Sequence, residues 1–363
     1  MPFPSLTIGD LTVRTPIVQG GMGVGISLSG LASAVAEAGG IGVIAAAGIG
    51  MGRPGYATNF IETNNEALRD EIRATRAKTS GAVGVNIMVA LTNYADLVTT
   101  AVKEGIDAIF SGAGLPLDMP AHLPEGAKTK LVPIVSSARA AVILCKKWLA
   151  RFGRVPDAFV VEGPLAGGHL GFKRDQLSDP AHSLEAVVPE VIEAVKPYTA
   201  PGGRPIPVIA GGGVYTGADI LKYLRMGAAG VQMGTRFVAT HECDADDAFK
   251  QTYLDAKEKD IVIIQSPVGL PGRAIANTFL EEAARGERHP KTCPFNCVHS
   301  CDHNTTPYCI MMALMNAKKG NLGHGFAFAG QNAWRVDKIL SVKQLMESLE
   351  AEYDAALAQE AGA

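Results

Sequence analysis

The chain has 363 residues, of which 47% are hydrophobic and 19% are charged, with a net charge of −3. A charged share below the roughly 25% of ordinary globular proteins, with this much apolar surface, excludes a disordered chain. No basic block is present to track a phosphodiester backbone, so nucleic-acid binding is excluded as well.

In chain order, eight short apolar runs read as strands: Pro16–Gln19, Gly42–Ala45, Val83–Met88, Ala108–Phe110, Leu131–Val135, Ala158–Val161, Pro207–Ala210 and Gly230–Met233. They are almost wholly apolar, which fits parallel strands covered on both faces. Helical patterns lie between them at Leu28–Ala38, Asn64–Thr79, Tyr94–Glu104, Ala138–Phe152, Leu184–Val195 and Gly217–Met226. This strand–helix repeat predicts an α/β fold, a (β/α)8 TIM barrel. The rival, an open doubly wound sheet, lacks a clean GxGxxG fingerprint after the first strand.

After the eighth strand the repeat breaks. Residues 246–335 read as an inserted lid subdomain, followed by a closing helix in Val336–Leu357. The barrel is thus assigned to 1–245 and 336–363, with the insertion over its C-terminal mouth, where such barrels do chemistry. No apolar run reaches the roughly 18 residues of a membrane span, and no signal peptide is visible after Met1, which predicts a cytosolic chain.

Six sequence features carry chemistry. Gln19-Gly20-Gly21-Met22-Gly23-Val24-Gly25 ends strand one, where glycines admit a flat or anionic ligand to the backbone. Asn86 sits among apolar residues of strand three and needs a polar partner, either a ligand edge or a loop backbone. Strand six leads into Glu162-Gly163-Pro164-Leu165-Ala166-Gly167-Gly168-His169, which presents a histidine able to exchange protons near neutral pH. Ala210-Gly211-Gly212-Gly213 and Gly234-Thr235 follow strands seven and eight, the usual phosphate position of this fold, with the next helix N-terminus aimed at the anion. Cys293, Cys297, Cys301 and Cys309 lie within one short stretch. Helical spacing would bring three of these thiols together around zinc or an iron–sulfur cluster; reduced structural thiols and a redox-labile pair are the alternatives. Cys145 and Cys243 read as core. Finally, Gly323–Asn332 is a small aromatic loop, read either as a cover for the mouth or as a packed inter-domain loop.

Taken together, these residues resemble the nitronate monooxygenase (2-nitropropane dioxygenase) superfamily, which includes FMN-dependent enoyl-ACP reductases. The resemblance runs through Pro16–Met22, Gly84–Met88, Glu162–His169, Ala210–Gly213, Gln232–Phe237 and Ala329–Gln331. It implies a barrel holding FMN, with Gly21, Met22 and Gly23 along the flavin ring and Asn86 at its polar edge. Glu162 and Gly168 belong to the same cofactor set. Gly212, Gly213, Gly234 and Thr235 would hold the phosphate, and Gly330 and Gln331 would close the site. His169 would be the catalytic acid/base. One subclass of the family carries a lysine after strand five; here that strand ends in Val135-Ser136-Ser137, and Asn86-Ile87-Met88 is closer to the enoyl reductase branch.

The leading expectation is oxidation of an alkyl nitronate to a carbonyl and nitrite. Protonated His169 would hold the anion, or neutral His169 would take the α-proton of a nitroalkane. The alternative is an NAD(P)H-dependent enoyl-ACP or quinone reductase on the same FMN, and a flavin or metal sensor is a third reading. Candidate partners are a small-molecule substrate, NAD(P)H and a second copy of the chain.

Overall fold

The structure is a computed structural model that describes residues 3–200, 203–290, 292, 293 and 295–362. Met1, Pro2, Pro201, Gly202 and Ala363, in the range expected for the barrel, and Lys291 and Pro294, in the expected insertion, lie outside the described residues.

Eight parallel strands form the barrel: β1 (Ile17–Gln19), β2 (Gly42–Ala45), β3 (Val83–Met88), β4 (Ala108–Gly112), β5 (Lys130–Val135), β6 (Phe159–Glu162), β7 (Val208–Gly211) and β8 (Gly230–Met233). Each pairs with its sequence neighbour, β8 pairs with β1, and a bridge between Val18 and Ile41 closes the ring. The strand positions agree with the apolar runs to within one or two residues. The insides of the strands are apolar because they meet only one another and a plug. Leu6, Ile8 and Val13 come from an N-terminal hairpin, Leu6–Ile8 paired with Leu11–Val13, and pack against Val18, Val43, Phe110, Val132 and Ile209. That hairpin is too short to show a pattern in the sequence. It fills the N-terminal end of the barrel and leaves the C-terminal end for a cavity.

The helices α1 (Ser29–Glu37), α2 (Phe60–Arg76), α3 (Tyr94–Lys103), α4 (Ala138–Phe152), α5 (Leu184–Val195) and α6 (Gly217–Arg225) cover the outside. Between β4 and β5 a 3-10 turn, Met119–His122, stands where an α-helix completes the usual unit. Helix α4 is capped by Ser137, whose hydroxyl accepts from the Ala140 N–H at 3.3 Å. Helix α1 has no side-chain cap of its own. Asp244, more than 200 residues downstream, accepts from the N–H groups of Leu28, Gly30 and Leu31 at 2.7, 3.0 and 3.1 Å. A carboxylate there answers both the free N–H groups and the positive end of the helix dipole.

After a four-residue helix, α7 (Thr235–Val238), the chain runs through α8 (Asp247–Asp255), α9 (Thr278–Ala284) and α10 (Ile310–Lys318) before the closing helix α11 (Val342–Gly362). The closing helix starts later than the sequence predicts and packs on α6 and α1. Between α8 and α9 the chain forms a hairpin, Ile261–Gln265 with Pro271–Ile275. Its second strand pairs antiparallel with Gly168–His169, so the segment after the barrel and the histidine loop share one small sheet. Among the described residues, no helix is long and apolar enough to cross a membrane.

Candidate active site

A cavity of about 270 Å³ opens at the C-terminal ends of the strands. Of the residues that the sequence singles out, Gly21, Met22, Gly23, Asn86, Glu162, Gly168, His169, Gly212, Gly213, Gly234, Thr235 and Gly330 all line it. Gln331 does not; its backbone N–H donates to the Leu165 carbonyl at 3.0 Å and ties the segment after the barrel to the loop after β6. The fit there is tight: a Cβ on Gly330 would lie 2.6 Å from the Thr235 hydroxyl oxygen.

The anion-binding feature differs from the one predicted. The N-terminus of α6 is already occupied. Asp219 accepts from Tyr215 and Thr216 N–H, Thr216 accepts from Asp219 N–H, and Glu352 on α11 accepts from Gly217 N–H. The free N–H groups belong instead to the loops: those of Gly213, Gly234 and Thr235 take no carbonyl partner among the described residues. Asn332 holds this cradle by donating its side-chain amide to the Gly213 carbonyl at 2.8 Å. The Asn86 side-chain amide, across the cavity, also has no hydrogen-bond partner among the described residues and faces the open space.

His169 Nε2 lies 2.7 Å from the Ser266 hydroxyl, and its ring meets the Phe328 ring at a tilt, with centroids 4.9 Å apart. Burial pushes the His169 pKa down to about 4, so the imidazole is neutral at pH 7. Of the two forms of His169 that the sequence offered, burial favours the neutral one. Glu162 has no charged partner among the described residues, and burial pushes its pKa up to about 7. Among the described residues no Lys or Arg side chain lines the cavity.

The loop that carries these groups is pinned from below. Arg273, buried in the hairpin, donates to the Pro164 and Ala166 carbonyls at 2.5 and 2.7 Å. The outer wall is apolar and comes largely from residues 246–335: Val268, Val298, Ile310, Met311, Leu314 and Phe328. Phe328 and Asn332 belong to the Gly323–Asn332 loop that the sequence singled out, whereas motif reading missed Ser266 and Arg273. Ser266 and Arg273 stand in no recognisable pattern, and only the pairing of the hairpin with Gly168–His169 brings them in.

The cysteine stretch departs from expectation. The described residues from Cys293 to Cys309 are loop and turn, and helix α10 begins only at Ile310, so the thiols do not share a helix face. All four are free thiols. They do feel one another: Cys297 is pushed up to about 12, by burial first and then by Cys309, Cys293 and Cys301. Yet among the described residues no group of three or more His, Cys, Asp or Glu side chains is placed to hold a metal ion. The expected zinc or iron–sulfur centre therefore finds no support in the placement of the described residues. Cys145 and Cys243 are buried core thiols, as predicted.

Residues 5–352 match the nitronate monooxygenase family as a whole. The chain belongs to that family. Within the nitronate monooxygenase family its relatives carry several names. It is 30% identical over 276 residues, 76% of this chain and 67% of the other, to (3aS,4S,5R,7aS)-5-hydroxy-7a-methyl-1-oxo-octahydro-1H-indene-4-carboxyl-CoA dehydrogenase of Mycobacterium tuberculosis. It is 27% identical over 313 residues to a probable nitronate monooxygenase of Staphylococcus aureus, covering 76% of this chain and 79% of that one. The solved structure of FabK from Thermotoga maritima superposes with a TM-score of 0.75 at 28% identity, covering 96% of both chains. As a member of the nitronate monooxygenase family, the protein is an oxidoreductase on a TIM barrel.

Proposed function

We propose that this protein is an FMN-dependent oxidoreductase acting on a neutral, largely apolar carbonyl compound, with an acyl thioester of the enoyl type as the best-fitting class. The observation that carries this reading is the charge of the cavity. Among the described residues it holds a neutral histidine and a carboxyl group, no cationic side chain, and an apolar outer wall. A small anion would enter without a counter-charge, whereas an acyl chain gains from burial against Val298, Ile310, Met311 and Leu314. The mycobacterial relative, named as a carboxyl-CoA dehydrogenase, and the likeness to FabK support a thioester.

The residues fit FMN. The free N–H groups of Gly213, Gly234 and Thr235 suit a phosphate monoester, and the unpartnered Asn86 amide offers both a donor and an acceptor to a ring edge. There is no second glycine-rich fingerprint for a dinucleotide. FMN, when bound, supplies the two-electron hydride chemistry. The protein's own contributions are local. Gly21, Met22 and Gly23 give the ring a flat floor, Glu162 and Gly168 border it, and Gly330 and Gln331 close the edge. His169 meets the polar group of the substrate. Residues 246–335 act as the covering subdomain and exclude water with their apolar side chains.

The second reading is nitronate oxidation, favoured by the family match over residues 5–352. An anaerobic experiment separates the two. Protein reconstituted with FMN is mixed with NADH or NADPH and then with an enoyl thioester. Bleaching of the flavin by a nicotinamide and its recovery on adding the thioester are expected. Bleaching only by a nitroalkane or nitronate, with nitrite released in air, gives the second reading its place. Heat-released cofactor that elutes as FAD overturns the FMN assignment in either case.

A further inference from the structure

Ser266 lies in the turn between the two strands of the hairpin and is only 3% exposed. Its hydroxyl oxygen accepts from the Val268 N–H at 3.4 Å and lies 2.7 Å from His169 Nε2. No other hydrogen-bond partner of the hydroxyl is present among the described residues. The hydroxyl proton therefore has one acceptor in reach, the Nε2 lone pair. If Nε2 carried the imidazole proton instead, two hydrogens would face each other or the buried hydroxyl proton would be left without an acceptor, which buried polar groups avoid. His169 Nδ1, on the other side of the ring, bonds to nothing among the described residues and is not among the atoms sealed in the core.

We infer that Ser266 is a positioning residue that donates to His169 Nε2 and so fixes the histidine as its Nδ1–H tautomer, presenting a hydrogen-bond donor to the cavity. The inference rests on the reading of His169 as the group that meets the substrate. It sharpens that reading. A neutral Nδ1–H has no lone pair facing the substrate, so His169 does not abstract a proton from that side. It polarises an oxygen, and an acyl carbonyl is the group that gains from such a donor as negative charge develops on it. The other groups around the ring leave the assignment in place. Phe328 offers an aromatic ring, Glu162 borders the same cavity, and the Tyr253 hydroxyl is engaged with the Phe328 carbonyl at 2.5 Å.

The test is nitrogen-15 NMR of histidine-labelled protein without flavin at neutral pH, with His169 assigned by its loss in His169→Gln. A pyridine-type Nε2 and a protonated Nδ1 are expected in the wild type. In Ser266→Ala the ring should shift toward Nε2–H or a mixture, and Ser266→Thr should restore the wild-type pattern. A protonated Nε2 in the wild type overturns the proposal, as does an unchanged pattern in Ser266→Ala. With FMN bound, Ser266→Ala should turn over about tenfold or more slowly, because losing one donor to developing charge costs about 10²–10³ and part of the ring population still presents it. Ser266→Thr should recover most of that loss; equal rates in the Ala and Thr variants overturn the positioning role. If His169→Gln keeps full turnover while the wild-type tautomer is as stated, the reading of His169 fails and the tautomer assignment stands.

Discussion

Glu162 ends β6 with its carboxyl group on the cavity wall, and burial with no charged partner pushes its pKa from 4.5 up to about 7. That difference corresponds to about 3 kcal/mol against the ionised form, at about 1.4 kcal/mol for each pH unit. The sign follows from linkage. The folded-state pKa is raised, so the folded protein holds its proton more tightly than the unfolded chain. The stability this gives is fully present below the ordinary 4.5 and is lost as pH rises through 7. Flavin-free wild-type protein is therefore expected to lose up to about 3 kcal/mol from this group between about pH 5 and about pH 8. Glu162→Gln cannot ionise and should not lose it, so the variant gains on the wild type as pH rises. The assay is urea unfolding followed by circular dichroism at several pH values, with the midpoint and slope compared at each. An infrared difference spectrum across the same range should show a protonated carboxyl band that disappears at high pH in the wild type and is absent in the variant. Parallel pH profiles for the two proteins, together with no such band, would refute the argument that burial alone governs this carboxyl.

Three further outcomes follow from the same geometry. His169→Ala should leave FMN bound and lower turnover by about two orders of magnitude, the scale of a lost hydrogen-bond donor to developing charge; turnover within about threefold of wild type would remove His169 from the chemistry. Gly21→Ala would place a methyl carbon 2.3 Å from Asn86 Cβ, so strand one or strand three must shift. Overpacking of this kind costs about 1–3 kcal/mol, and FMN retention measured by equilibrium dialysis should weaken about tenfold or more; unchanged retention would place the flavin elsewhere. Native alkylation read by mass spectrometry should mark the partly exposed Cys293 and Cys301 well before Cys145, Cys243 and Cys297, which are buried and whose thiols are all raised by burial; simultaneous labelling of all six would contradict the packing of the cysteine stretch.

The amino-acid sequence by itself determined the barrel. Parallel strands buried on both faces must be apolar along their whole length, so β1 to β8 stand out from the helices between them without any knowledge of their partners. It also determined one rim of the cavity. Gly21, Gly212 and Gly234 lie just past strand ends, and strand ends of a barrel meet at one mouth, so local position alone places them together. What depends on distant contacts was hidden. The cap of α1 is Asp244, the N-terminus of α6 is filled by Asp219 and by Glu352 from α11, and Ser266 reaches His169 only because a hairpin pairs with Gly168–His169. The cysteine stretch shows the same limit from the other side: its spacing suggests a helix, but the chain there follows the barrel rim, with Leu91 bridged to Val298, and takes a loop path instead. Charge was decided last. Whether His169 is a cation or a neutral ring depends on how much water reaches it, and the packing of Phe328 and the turn at Ser266, invisible in the sequence, favour the neutral ring.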